Sequence, residues 1–204
     1  MYSTVPQQDK INIMRIVSGD LKGRRIKEQI PAFIRPTTDK VREAIFNILE
    51  NHISFDDLII ADICAGTGML GFEALSRGCK QCFFVDKNIQ SVKFIKSTAK
   101  LFGIDDKRYI IQKHDALKFL KELKINFPDT QFDVIFTDPP YKANFLNQMV
   151  VLINSENLLN KNGIFVAEHD DTEVILFPES WNKISDKTYS ITRVEIFRIV
   201  GKNY

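Results

Sequence analysis

From residue 58 onward, short apolar runs alternate with segments of helical spacing, and that rhythm restricts the chain to a mostly parallel sheet covered by helices. Leu58–Ile63, Cys82–Val85, Tyr109–Gln112, Phe132–Thr137 and Ile164–Ala167 read as buried strands. Between them Met69–Ser76, Ile89–Phe102, Ala116–Leu123 and Phe145–Leu159 read as helices, the last stopped by Asn162-Gly163. Strands separated by helices of this length form βαβ units. The tail breaks the pattern. Trp181–Ser190 and Ile191–Val200 have no helix between them, so they are expected to pair antiparallel at one edge, giving seven strands in all. Upstream, Ile13–Val17 and Arg24–Lys27 flank Gly19 and Gly23, which predicts a small hairpin. Val41, Ile45, Ile48 and Leu49 then follow at helical spacing to about residue 51, behind three candidate caps, Thr37, Thr38 and Asp39.

A chain of 204 residues, 44% hydrophobic and 26% charged, fits one globular domain with an appendage and is long enough to bury a proper core. We divide it into a disordered extension at 1–13, a basic hairpin and helix at 14–52, and a main domain at 53–204. No apolar run approaches the ~18 residues of a membrane span, and residues 1–10 lack the pattern of a secretory leader. Three cysteines, Cys64, Cys79 and Cys82, cannot close a disulfide set, which points to a reducing compartment and the cytoplasm. Cys79-Lys80-Gln81-Cys82 has no second pair or histidine nearby, so it reads as a turn into a strand rather than a metal site. His52, His114 and His169 show no ligand spacing either. Net charge is +2, but residues 1–42 hold nine Lys and Arg against four acids, leaving −3 for the remainder. A basic arm on a mildly acidic body suits contact with a polyanion, and Arg15, Lys22, Arg24, Arg25, Arg35 and Arg42 are the candidate phosphate contacts.

Asp62-Ile63-Cys64-Ala65-Gly66-Thr67-Gly68-Met69-Leu70-Gly71 stands where the first strand of the main domain turns into a helix. Glycines there let backbone approach a ligand closely and aim helix amides at it. Gly66, Gly68 and Gly71 satisfy G-x-G-x-x-G, and Asp86 ends the next strand, where an acid usually holds ribose hydroxyls. Those features alone fit NAD as well as S-adenosylmethionine. Asp62 separates the two, because a negative charge there repels pyrophosphate and suits the cationic methionyl end of S-adenosylmethionine. His114-Asp115-Ala116 after the third strand offers a polar edge for adenine, although Asp115 also suits the role of helix cap.

Phe132–Thr137 ends in Asp138-Pro139-Pro140-Tyr141. Two prolines cannot donate to a ladder, so the strand must stop at the carboxylate. A carboxylate, outward carbonyls and a phenol ring then share the lip of a sheet. Taken alone, these letters also fit a proline-terminated strand with an aspartate cap. Set after the glycine loop, they resemble the active-site loop of methyltransferases acting on exocyclic amines of bases.

The likeness extends further. Met14-Arg15-Ile16-Val17-Ser18-Gly19, Gly23-Arg24-Arg25, Arg35-Pro36-Thr37, Val41-Arg42-Glu43-Ala44-Ile45-Phe46-Asn47, Ala65 through Gly78, Asp138-Pro139-Pro140-Tyr141 and Glu168-His169 occur in that order. Together they resemble the RsmD family of bacterial small-subunit ribosomal RNA guanine-N2 methyltransferases. Two departures are small: Cys64 where the family often has phenylalanine, and Asp86 where it often has glutamate. The resemblance implies a Rossmann-like class I methyltransferase fold. It also implies methylation of the N2 amine of a guanine in 16S rRNA, the family target being guanine-966, within an assembling small subunit, by a monomer. S-adenosylmethionine is the implied cofactor, held by Asp62, Ala65, Gly66, Gly68, Asp86, Asp115, Ala116 and Asp138. Asp138 and the Pro139 carbonyl are expected to accept from the target amine, with Tyr141 stacking on the base. Thr37 and the basic residues named above are expected to meet RNA. Two alternatives stay open: a DNA adenine-N6 or cytosine-N4 methylase, and a non-catalytic RNA-binding assembly factor.

Overall fold

The computed structural model describes residues 14–26, 37–139 and 144–200. The expected extension at 1–13, Arg35 and Tyr141 lie outside the described residues. A two-stranded hairpin comes first, β1 (Met14–Arg15) against β2 (Arg25–Ile26), followed by helix α1 (Asp39–Glu50). Of the three candidate caps, Thr38 serves. Its hydroxyl accepts from the Val41 amide at 3.3 Å.

The main sheet is built from β3 (Ile59–Ile63), β4 (Gln81–Asp86), β5 (Tyr109–Lys113), β6 (Phe132–Thr137), β7 (Leu159–Asp170), β8 (Trp181–Tyr189) and β9 (Thr192–Ile199). Helices α2 (Met69–Ser76), α3 (Ile89–Phe102), α4 (Ala116–Asn126) and α5 (Phe145–Ser155) make the crossovers. Strand order is β5-β4-β3-β6-β7-β9-β8, parallel from β5 to β7 and antiparallel through β9 and β8. Each face of the sheet buries its own apolar layer. One holds Phe46, Phe72, Phe84 and Phe136 under α1, α2 and α3; the other holds Phe83, Phe132, Phe165 and Trp181 under α4 and α5. Among the described residues no helix is long and apolar enough to cross a membrane.

The expected boundary of α5 is corrected. The helix stops at Ser155 because Asn157 takes a left-handed conformation (φ 50°), and Leu159 already pairs with Phe132 as the start of β7. Asn162-Gly163 instead lies inside β7, where the register against β6 shifts between Phe132 and Val134.

The hairpin is fastened to the body by one buried carboxylate. Glu73 on α2 has no solvent exposure. Its two oxygens accept from the amides of Val17 and Ser18, each at 2.9 Å, and pair with Arg42 at 3.5 Å and Arg77 at 3.0 Å. Next to it the Gly19 backbone lies flat on the end of α2. A Cβ at Gly19 would fall 1.9 Å from the Ser76 carbonyl oxygen, and the residue sits at φ +76°.

This arrangement overturns one expected contact. Arg42 is fully buried, bonded to the Arg15 carbonyl at 2.5 Å and paired with Asp39 at 2.8 Å. Its guanidinium is a structural cross-link between α1, α2 and the hairpin and cannot reach a phosphate. Helical spacing explains the error: Arg42 sits between Val41 and Ile45 on the face that packs inward. Replacing Glu73 with alanine leaves two hairpin amides unpaired and takes one carboxylate partner from each of Arg42 and Arg77, and is expected to cost ~3–5 kcal/mol. Urea denaturation reads that loss, with faster amide exchange at Val17 and Ser18.

Candidate active site

The strand order reverses between β3 and β6, and an open parallel sheet leaves a crevice at the carboxyl ends of its strands at such a point. A cleft of about 790 Å³ occupies it. One wall carries Gly66, Asp86, Ser91, Asp115 and Ala116; Asp138 and Pro139 stand at the end of β6; Thr37, Glu168, Tyr189 and Thr192 close the far side.

Asp86, at the end of β4, accepts from the Gly66 amide at 2.9 Å and from Asn88 at 2.8 Å. Its carboxylate therefore ties the glycine turn to the next strand while facing the cleft. Asp115 caps α4, accepting from the Lys118 amide at 3.2 Å, and also lines the cleft. The cap and the wall are compatible, since a carboxylate has about four acceptor sites. Ser91, in the first turn of α3, is 1% exposed, and among the described residues its hydroxyl has no hydrogen-bond partner. An orphaned hydroxyl in a cleft wall beside an acid fits a polar ligand such as a nucleoside.

Three further expected cofactor residues, Asp62, Ala65 and Gly68, build the turn itself. Asp62 is buried, with one oxygen accepting from the Gly71 amide at 2.9 Å. Burial pushes its carboxyl up to about 7, against the opposing Gly71 bond, and the nearby charges of Asp86 and Glu168 add to the rise. Gly68 begins α2, donating to the Ala65 carbonyl at 2.6 Å, so Ala65 and Gly68 shape the turn. Gly71 then lets α2 lie on β4, because a Cβ there would meet the Phe84 ring at 2.3 Å. Cys64 lines the cleft, and burial pushes its thiol far up, away from thiolate chemistry.

Of the expected RNA contacts, Lys22, Arg24 and Arg25 are exposed on the hairpin. Arg15 is exposed but paired with Asp39 at 3.0 Å, and Arg24 donates to the Phe102 carbonyl at 2.5 Å. Thr37 is turned to the cleft, its hydroxyl donating to Glu168 at 3.0 Å. The sequence alone gave no role to Glu168, Ser91 or the β8–β9 turn. Glu168 was visible as an acid ending a strand, but its neighbour across the sheet depends on register. The turn comes from the far edge of the sheet, and no local motif marks it.

The model of the family described as Conserved hypothetical protein 95 matches residues 14–198. The chain belongs to this family. It is 39% identical over 191 residues to the Bacillus subtilis protein named "Putative rRNA methyltransferase YlbH", covering 92% of this chain and 100% of that one. It is 30% identical over 187 residues to Ribosomal RNA small subunit methyltransferase D of Haemophilus influenzae, covering 91% and 93%. A solved Haemophilus influenzae structure described as a "putative methylase", HI0767, superposes with a TM-score of 0.74 at 27% identity, over 93% of this chain and 99% of that one. The fold is accordingly the Rossmann-like one of class I methyltransferases, as the resemblance implied.

Asp62 makes the apo-protein's stability depend on pH. The folded state holds this proton more tightly than the unfolded chain does. The group's contribution is therefore fully present below about pH 4 and lost as pH rises through about 7. Asp62→Asn keeps an acceptor for Gly71 and removes the charge. Its melting temperature is expected to match the parent's near pH 4 and exceed it increasingly toward pH 8, as read by thermal scans.

Proposed function

We propose that this protein methylates the exocyclic N2 amine of a guanine in 16S ribosomal RNA, using S-adenosylmethionine, during small-subunit maturation in the cytoplasm. The observation that carries the reading is the shared cleft: Asp138 and Pro139 face the same space as Gly66 and Asp86. The names of the relatives support the RNA and the methyl chemistry.

The residues present fit the cofactor. Asp86 and the Ser91 hydroxyl suit ribose, Asp115 and Ala116 suit the adenine edge, and the acidic surroundings of the turn suit a cation. When bound, that cofactor supplies an electrophilic methyl group on a sulfonium. The protein's share of the work lies with the amine, whose lone pair is delocalised into the purine ring. Asp138 and the Pro139 carbonyl accept from its two hydrogens and favour a pyramidal nitrogen with an available lone pair. Asp138 also stands ready to take the released proton, a role typically worth ~10²–10⁴-fold in rate. A fixed carboxylate needs no reorganisation as positive charge develops on the nitrogen. Tyr141 follows two residues later in sequence and is proposed to stack on the base, a contact worth ~1–3 kcal/mol.

The amine of a paired guanine lies in a groove, so the target must be unpaired or extruded. Lys22, Arg24 and Arg25 are proposed to hold the flanking phosphates. Replacing any one of them with alanine should weaken RNA binding and lower the slope of log affinity against log salt by about one. Filter binding across a salt series measures it. Asp138→Ala should abolish methyl transfer while calorimetry still shows cofactor binding. Near-normal turnover by that variant would remove Asp138 from the mechanism. Mapping of methylated nucleotides in ribosomal RNA, with and without the protein, tests the base itself.

A further inference from the structure

Asp138 is not the only carboxylate at the edge of the sheet. Thr137, the last residue of β6, is in register with Ala167 on β7, so the next residues along, Asp138 just past β6 and Glu168 within β7, follow side by side. Side chains at matching register positions leave the same face of a sheet. Both carboxylates line the cleft, and Glu168 is only 8% exposed. Thr37 fixes Glu168 by donating to Oε2 at 3.0 Å.

Two acceptors set side by side read two neighbouring donors. Among the bases that carry an exocyclic amine, guanine alone places a donor beside it: N1–H adjoins the N2 amine. Adenine puts the N1 lone pair beside its N6 amine, and cytosine puts the N3 lone pair beside its N4 amine. A carboxylate next to the amine site therefore attracts guanine and repels the other two. We propose that Glu168 selects the target base, accepting the N1–H of the guanine whose N2 amine is held by Asp138. This role rests on the guanine-N2 reading and deepens it, since Asp138 and Pro139 alone recognise an amine without reading its ring. Adjacent strands lie ~4.8 Å apart, a spacing that one purine edge and its hydrogen bonds can span. A site built to bond a substrate N–H rejects analogues lacking it strongly.

The experiment uses small subunits assembled with ribosomal RNA that carries either guanine or 2-aminopurine at the methylated position. 2-Aminopurine keeps the amine but has an acceptor at N1. The unaltered protein should favour guanine by ~10²-fold or more in kcat/KM, within the range such sites achieve. Glu168→Gln can still bond Thr37, and its amide can donate to the N1 of 2-aminopurine. It should lose ~10-fold or more on guanine, keep or gain on 2-aminopurine, and bind the cofactor normally by calorimetry. Thr37→Val removes the other end of the bond and should retain the preference for guanine. Equal losses by Glu168→Gln on both bases, loss of the preference in Thr37→Val alone, or no preference in the unaltered protein would overturn the role. Mass analysis of the nucleosides separates the two levels of inference. Methylated adenine or cytosine would sink the guanine reading itself, whereas methylated guanine with an unmoved ratio sinks only the role of Glu168.

Discussion

Glu73 is the joint on which the arrangement of the molecule depends. A fully buried carboxylate is tolerable only when donors surround it, and here two hairpin amides and two guanidinium groups do so. Its partners come from three parts of the chain: the hairpin, α1 and α2. α2 also carries the glycine turn at its start. The exposed cations of the hairpin are thereby held at a fixed distance from the cleft by the same helix whose beginning forms one wall. Shape rather than stability is what such a cluster supplies best, since an apolar cluster of equal volume would hold the pieces together but not fix their angle.

The second organising constraint is the register of β3, β6 and β7. Parallel pairing aligns Ile63 with Thr137 and Thr137 with Ala167, so β3 and β6 end at the same level, while β7 runs on to Asp170 beside β9. Cys64, Asp138 and Glu168 follow at once, and all three reach the cleft. Acidic groups thus gather at one end of the sheet while Lys22, Arg24 and Arg25 lie on the hairpin. The division of sign suits a cationic ligand at the acidic end and a polyanion at the hairpin.

Much of this was legible in the residues. The bounds of α2, α3 and β6 fell where apolar spacing, glycines and prolines put them, because those signals are local. What failed was non-local. Arg42 looked like one more cation in a basic arm, and only the packing of α1 on α2 shows it meeting Glu73. Asp62 is expected beside the cationic end of a ligand, and the fold adds what spacing does not show, a bond from the Gly71 amide to one of its oxygens. Asp115 was read as both cap and cleft residue, and it stands in both places. Glu168 had no assigned role because its neighbour in space is set by strand register, which sequence spacing does not reveal.

The antiparallel hairpin of β8 and β9 has a consequence away from the cleft. It makes β8 the outermost strand, with one row of main-chain amides and carbonyls facing away from β9. Lys183, Asp186 and Lys187 stud that strand, and its pairing with β9 slips between Lys183 and Ser185. Charge and a kink along a sheet margin discourage a second molecule from docking there as an eighth strand. The margin is thus guarded against edge-to-edge polymerisation by the very residues that finish the sheet.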